Sequence, residues 1–336
     1  MKRTFFFALS VVAAASILSS CKQDGQSISG PGAVLPLSAH GGGGGSTPAQ
    51  PAITYLTTPS SNKTSYYDVC VMDTDGTNQT VIYTAASGVT AWSPSWSPTG
   101  GSVAWCEMTG DGIGTAEAIK AIDVTVNSNG VAVGSNLRTI ASWTGADSVM
   151  IAGSPRTTTW CQQSATGEIA FTLWHTNKVG LEHNVLDLCT ASSSGGTVTV
   201  LASRNNGASY EYCLWSPDDS KIAMTYPGAI VLYDASTGAV DDSILESISA
   251  RDIAWSHGSV LNSLVFGGSQ THYLMPGSSP TTENVNSGTV TWSPNNSGVM
   301  SAYGDLTKLK PFTTTTTTIL KSFIGTQINW RQDWPF

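Results

Sequence analysis

The chain has 336 residues, enough for one large repeat domain or two ordinary ones. Charged residues make up only 11% and Gly numbers 34, against roughly 25% charge in an average soluble protein, which argues against a charged helical bundle or coiled coil. The net charge of −8 becomes −10 once a leader carrying Lys2 and Arg3 is removed; an acidic surface repels phosphate backbones, so nucleic-acid binding is not expected.

The first element is an address. Lys2 and Arg3 precede an apolar run from Phe5 to Leu18, the length of a signal-peptide core and too short for an ordinary membrane-spanning helix. It ends in Leu18-Ser19-Ser20-Cys21, which resembles the lipobox of bacterial lipoproteins: an apolar residue, two small ones, then the cysteine that receives the lipid. The resemblance implies cleavage after residue 20 and lipidation at Cys21, with acyl chains held by burial of CH₂ groups at about 0.8 kcal/mol each. Lys22 follows where Asp would favour the inner membrane, so an outer membrane lipoprotein of a Gram-negative bacterium, periplasmic or surface-exposed, is expected. Residues 21–52, with Gly41 to Gly45, Pro48 and Pro51, read as a flexible linker. A coil of about 30 residues reaches roughly 30 Å.

From residue 53 onward the chain repeats. Trp96-Ser97-Pro98-Thr99-Gly100 and a short apolar run are echoed by Trp215-Ser216-Pro217-Asp218-Asp219 and by Trp292-Ser293-Pro294-Asn295-Asn296. Weaker copies start at Trp160 and at Trp255-Ser256-His257-Gly258, and Trp330 closes the series. Each copy reads as a hairpin: a strand ends in Trp, Pro presets the first turn corner, and Gly, Asp or Asn accepts the tight corner. The six tryptophans are spaced 64, 55, 40, 37 and 38 residues apart, a mean that suits a four-stranded sheet. Further strands are expected over Tyr67 to Asp73 before Asp75-Gly76, over Ile230 to Asp234 before Thr237-Gly238, and over Thr313 to Thr318.

A Trp-Ser-Pro-Asp-Gly type turn followed by apolar strands and an Asp-x-Gly turn resembles the TolB-type β-propeller repeat, over about residues 53–336. The resemblance implies an all-β, six-bladed propeller of four-stranded antiparallel blades. The orphan strands at the start of this region supply what the last copy lacks, so N- and C-terminal strands are expected to share one blade. TolB's additional N-terminal α/β domain has no room here. Trp96, Trp160, Trp215, Trp255, Trp292 and Trp330 are read as structural anchors between blades.

Five cysteines remain after Cys21: Cys70, Cys106, Cys161, Cys189 and Cys213. Buried small hydrophobes are their expected role, with a Cys161–Cys213 disulfide conceivable. Asp73 to Asn78 lacks the spacing of a calcium loop. A G-x-S-x-G elbow is missing, which speaks against an attached peptidase. His175, His183, His257 and His272 occupy non-equivalent positions, so no metal and no cofactor is assigned, although a similar propeller, the oligogalacturonate lyase type, holds a metal largely through histidines.

In this architecture the strand entering each anchor is innermost, so residues three or four before the Trp approach the central channel. These are Trp92, Arg156, Glu211, Tyr212, Arg251, Asp252 and Gln327. Mixed Arg, acid and aromatic groups suit a peptide or protein terminus, and mutual pairing of Arg251 with Glu211 is the alternative use of the charges. Extra length between Gly110 and Gly153 and between Gly180 and Gly207 reads as loop insertions. The sequence therefore points to a monomeric envelope interaction module without catalysis, binding an envelope protein or peptide and touching the membrane only through its lipid. The competing expectation is a carbohydrate-active propeller enzyme such as a metal-dependent polysaccharide lyase.

Overall fold

The computed structural model describes residues 50–57, 68–109, 117–143, 151–160, 167–176, 184–205, 212–226, 229–245, 252–256, 264–267, 271–274, 281–283, 289–294, 297–303, 305–310, 316–321 and 325–330. Two units divide the chain, Met1–Ser38 and Ala39–Phe336, and every described residue lies in the second. Cys21 and the proposed leader are outside the described residues.

All described regular structure is β. In chain order the strands are β1 (Ile53–Thr57), β2 (Asp68–Met72) and β3 (Thr80–Tyr83); β4 (Val89–Trp96), β5 (Ser102–Thr109), β6 (Glu117–Val126) and β7 (Ala132–Trp143); β8 (Ile151–Trp160), β9 (Glu168–Thr176), β10 (Asn184–Ser192) and β11 (Thr199–Asn205). There follow β12 (Cys213–Trp215), β13 (Lys221–Tyr226), β14 (Ala229–Asp234) and β15 (Val240–Leu245); β16 (Asp252–Trp255), β17 (Leu264–Gly267), β18 (Thr271–Leu274) and β19 (Thr281–Glu283); then β20 (Thr289–Trp292), β21 (Val299–Tyr303), β22 (Asp305–Leu309), β23 (Thr316–Leu320) and β24 (Gly325–Trp330). They pair into six antiparallel four-stranded sheets, five of consecutive strands and one in the order β24-β1-β2-β3. The strand that ends in an anchor tryptophan is an edge strand of its sheet, and these edge strands neighbour one another in a closed cycle, β24, β4, β8, β12, β16, β20. This is a β-propeller.

The expectation of equivalent repeating blades is corrected. The innermost strands run from 3 residues in β12 to 10 in β8, and the outermost from 3 in β19 to 12 in β7. The reason lies in the extra length of the early copies, expected as loops: much of it forms the long β6 and β7, and part of it β10 and β11, so it widens sheets. Two bulges in the pairing of β6 with β7 absorb the mismatch.

The core sits between sheets. Leu56, Val69, Val71 and Ile82 of the first sheet pack on Ala91, Trp96, Val103 and Trp105 of the next, and Ala170, Leu186 and Leu188 pack on Cys213, Trp215, Ile222 and Tyr233. Trp255 packs on Ala223, Ile230 and Leu232 of the preceding sheet, and Trp292 on Ala254 of its predecessor. Each anchor also pairs across strands with an apolar residue: Trp96 with Val103, Trp160 with Ile169, Trp215 with Ile222, Trp255 with Leu264, Trp292 with Val299 and Trp330 with Ile53. The last pair joins the two ends of the domain within one sheet.

Serine explains the turns that follow the anchors. Ser97 N–H donates to the Ser102 carbonyl at 2.8 Å while Ser102 N–H donates back to Ser97 Oγ at 3.0 Å. The same reciprocal clasp joins Ser216 to Lys221 (2.9 and 3.0 Å) and Ser293 to Gly298 (2.8 and 2.9 Å). Gly100 and Asp219, at the left-handed corner, have φ of 65° and 57°.

Glycine at the later turns sets the distance between sheets. Gly76, Gly195 and Gly238 all have positive φ. A Cβ on Gly76 would lie 2.7 Å from Leu320 of β23, one on Gly195 would lie 3.3 Å from the Ile140 carbonyl of β7, and one on Gly238 would overlap the Leu201 carbonyl of β11. Each turn rests on the outermost strand of the preceding sheet.

Candidate functional site: the inner rim of the ring

Because each anchor ends its strand, the residues three and four positions earlier lie on, or just before, the strands of the inner cycle. Trp92 lies on β4 opposite Cys106, half-buried, against the cluster of Phe171, Leu173 and Ile119 that joins two sheets. Tyr212 immediately precedes β12; its N–H donates to Thr225 Oγ1 at 2.8 Å and its carbonyl accepts from Thr225 N–H at 2.9 Å. Its ring packs beside Ile253 and Trp255. Arg156 lies on β8, Asp252 on β16 opposite Gly267, and Gln327 on β24. Glu211 and Arg251 are outside the described residues, as is any ion pair between them.

Among the anchors, Trp96 and Trp292 are 1% exposed, Trp215 4% and Trp255 6%. Trp160 and Trp330 end β8 and β24. The rim is tied across sheets by groups that the repeat does not announce. Trp96 N–H donates to Asn329 Oδ1 at 3.0 Å, and Ile328 N–H donates to Thr289 Oγ1 at 3.4 Å. Both flank β24, and neither Asn329 nor Thr289 belongs to the Trp-Ser-Pro pattern that made the other positions visible.

The titratable groups near the core serve packing. Burial, with help from the neighbouring Cys70, pushes the Tyr55 hydroxyl far above its usual range. Burial likewise raises the Cys70 and Cys189 thiols, which leaves them protonated and poorly nucleophilic. Trp105 Nε1–H donates to Glu107 Oε1 at 3.2 Å, and burial followed by Glu107 raises Tyr83. No disulfide joins any two of Cys70, Cys106, Cys189 and Cys213; Cys161 is outside the described residues.

The Asp73 turn uses its carboxylates internally. Asn78 Nδ2–H donates to Asp73 Oδ2 at 2.7 Å, and Thr77 donates to Asp75 Oδ1 from its backbone N–H at 2.9 Å and from its hydroxyl at 2.6 Å. No group of three His, Cys, Asp or Glu side chains comes together as a metal cage among the described residues. His175 and His272 fall on β9 and β18, and His183 and His257 are outside the described residues. Of the seven rim candidates, Trp92 and Tyr212 have described side chains, and both pack against apolar clusters between sheets.

Comparison with solved structures gives TolB from Acinetobacter baumannii at 15% identity and a TM-score of 0.59, covering 83% of this chain and 66% of that one. This chain thus spans just under two thirds of that protein. Oligogalacturonate lyase from Vibrio parahaemolyticus matches at 12% identity and a TM-score of 0.44, covering 70% of each chain. A chain of the mitotic checkpoint complex matches at 12% identity and a TM-score of 0.48, covering 88% of each. No family model and no curated protein sequence matches. The likeness to TolB is one of fold: a TolB-like β-propeller.

Proposed function

We propose that this propeller is an interaction module of a Gram-negative cell envelope, tethered to the outer membrane by lipid on Cys21 and receiving a protein or peptide at the inner rim of its ring. One observation carries the reading: the strands entering the anchors form the closed inner cycle, and Trp92, Arg156, Tyr212, Asp252 and Gln327 belong to, or directly precede, five of these six strands. The remaining two rim residues, Glu211 and Arg251, adjoin Tyr212 and Asp252 in sequence. Aromatic and Arg side chains are the commonest energetic anchors of protein interfaces. The TolB-like fold and the lipobox-like leader fit such a module.

Crosslinking in intact cells, followed by purification of the full chain, tests this. A stoichiometric envelope partner is expected with the native chain and is expected to be lost with the double variant Arg156→Ala, Arg251→Ala at unchanged melting temperature. Recovery of the same partner by that variant overturns the rim as the binding surface. Mass spectrometry of the N-terminus checks the tether separately: a diacylated or triacylated Cys21 is expected, and a free amino-terminal residue elsewhere refutes it.

A further inference from the structure

The outermost strand β11 carries a guanidinium without a counter-charge. Arg204 pairs with Leu186 of β10, so it shares the face that Leu186 and Leu188 turn toward the next sheet. There its guanidinium carbon lies 4.9 Å from the centre of the Tyr226 ring on β13 and 5.9 Å from that of Tyr233 on β14. The two tyrosines make a fixed platform. Their hydroxyl oxygens lie 2.7 Å apart in a hydrogen bond, and Tyr226 O–H also meets Met224 Sδ at 3.2 Å. Tyr226 is 8% exposed and Tyr233 1%, while Arg204 itself is half-buried.

The other arginine with a described side chain is used quite differently. Arg138 donates from Nη1 to Asp123 Oδ1 at 2.6 Å, from Nε to the Ser193 carbonyl at 3.2 Å and from Nη2 to Ser102 Oγ at 3.4 Å. Lys221 likewise pairs with Asp241. Arg204 makes no ion pair and no hydrogen bond among the described residues, in a chain with 23 acidic residues. A partly buried charge left without a partner is unfavourable. The tyrosine rings compensate it only through the flat face of the guanidinium; the N–H donors lie in its plane and point away from the rings.

This geometry selects a ligand. A fork of coplanar N–H groups matches the two oxygens of a carboxylate. One cation balances one carboxylate, whereas a phosphate monoester brings about two charges. The wedge between the sheets also has an apolar side: Val240 of β15, 51% exposed, pairs with Tyr233 and so lies on the face of that sheet that Arg204 covers. The faces of Tyr226 and Tyr233 are already covered, so no sugar ring can stack on them.

We propose that Arg204, held flat on Tyr226 and Tyr233, anchors an acidic side chain, Asp or Glu, of a protein or peptide partner, with Val240 against an apolar neighbour of that residue. The site lies between outermost strands, apart from the inner rim, and stands or falls independently of it. Two capped pentapeptides serve as probes: acetyl-Gly-Val-Glu-Val-Gly-amide and the same sequence with Gln for Glu, so that one carboxylate is the whole difference. In equilibrium dialysis against the purified full chain at low ionic strength, the Glu peptide should be retained at least fivefold over the Gln peptide. Arg204→Gln should bring the ratio to parity. Arg204→Lys, which keeps the charge and loses the planar fork, should cut it by at least half. Tyr226→Phe keeps the ring and should leave the ratio within twofold, and Lys321→Gln, which removes an exposed cation elsewhere, should leave it unchanged. If Arg204→Gln does not fold, Arg204→Lys and Lys321→Gln decide: an undiminished ratio with the first, or a lost one with the second, overturns the proposal. Equal retention of the two peptides by the native chain overturns it as well, and glucuronic acid retained in their place by native chain but not by Arg204→Gln would reassign the guanidinium to an acidic sugar.

Discussion

Trp215 and Trp255 bury their indole N–H groups without a hydrogen-bond partner, so these side chains serve by volume rather than polarity. An unpaired buried N–H costs on the order of 1–3 kcal/mol. Trp215→Ala is therefore expected to destabilise by about 3–5 kcal/mol through the cavity it leaves. Trp215→Phe, which removes the unpaired donor and keeps most of the ring, should cost less than half of that in urea unfolding. Asp218 behaves oppositely. Its carboxylate accepts from Ser216 Oγ–H at 2.6 Å and from the Ser220 hydroxyl at 2.8 Å. The Ser216 bond, only partly offset by burial and reinforced by Ser220, lowers its pKa. A carboxyl group lowered on folding adds stability above its unfolded value of about 3.9, and that stability is lost as pH falls through the folded value. Asp218→Asn should thus destabilise the chain at pH 7 by about 0.5 kcal/mol for so exposed a group, and the gap to the native chain should narrow as pH falls below the ordinary carboxyl value of about 3.9. A gap constant from pH 7 to pH 2 would show that the charge is not what the turn uses.

At the scale of strands and turns, the clasp and the spacer glycine make separate claims. Ser293→Ala removes an acceptor for the Gly298 N–H inside a buried turn and should cost about 1 kcal/mol. Gly238→Ala must relieve both a φ of 70° and the overlap with Leu201, so a loss of about 2 kcal/mol or more is expected. Gly88→Ala, also at positive φ but with open space around it, should cost only the backbone term of about 1 kcal/mol; equal losses at 88 and 238 would refute contact between sheets as the reason for glycine. The comparison also explains what could be read from sequence. Trp, Pro and Gly announce a hairpin because each restricts local backbone or demands burial, and such signals survive without knowledge of neighbours. Ser97, Ser216 and Ser293 looked like ordinary turn residues because their value lies in a bond to a residue five positions on. The stretch around β6 and β7 read as insertion because bulges at Asn136 and Ile140 interrupt its alternation, hiding strands of 10 and 12 residues. At the rim, the distance from each Trp was legible, whereas β-bulges at Ser93, Arg156 and Gln327 depend on how the neighbouring strand pairs.

For the molecule as a whole, one sheet is assembled from both ends of the domain, and its stability cannot be local. β24 pairs with β1 through Ile53 and Trp330. Ile328 joins Ile53, Tyr55 and Met72 in a cluster with Met300 and Leu306 of the adjacent sheet. Asn329 reaches β4 on one side and Ile328 N–H reaches Thr289 of β20 on the other. Removing residues 325–336 would leave β1 as an open edge, uncover that cluster and strip the Trp96 N–H of its acceptor. Each sheet buries its apolar faces only against its two neighbours, so loss of one strand at the junction opens two interfaces together. The truncated chain is accordingly expected to lose its cooperative melt altogether. A milder variant, Asn329→Ala, should keep a single transition and lower it by about 1–2 kcal/mol. A truncated chain that melts like the native one would mean that the strand joining the two ends contributes nothing to cooperativity, and the ring would then be held by its five consecutive-strand sheets alone.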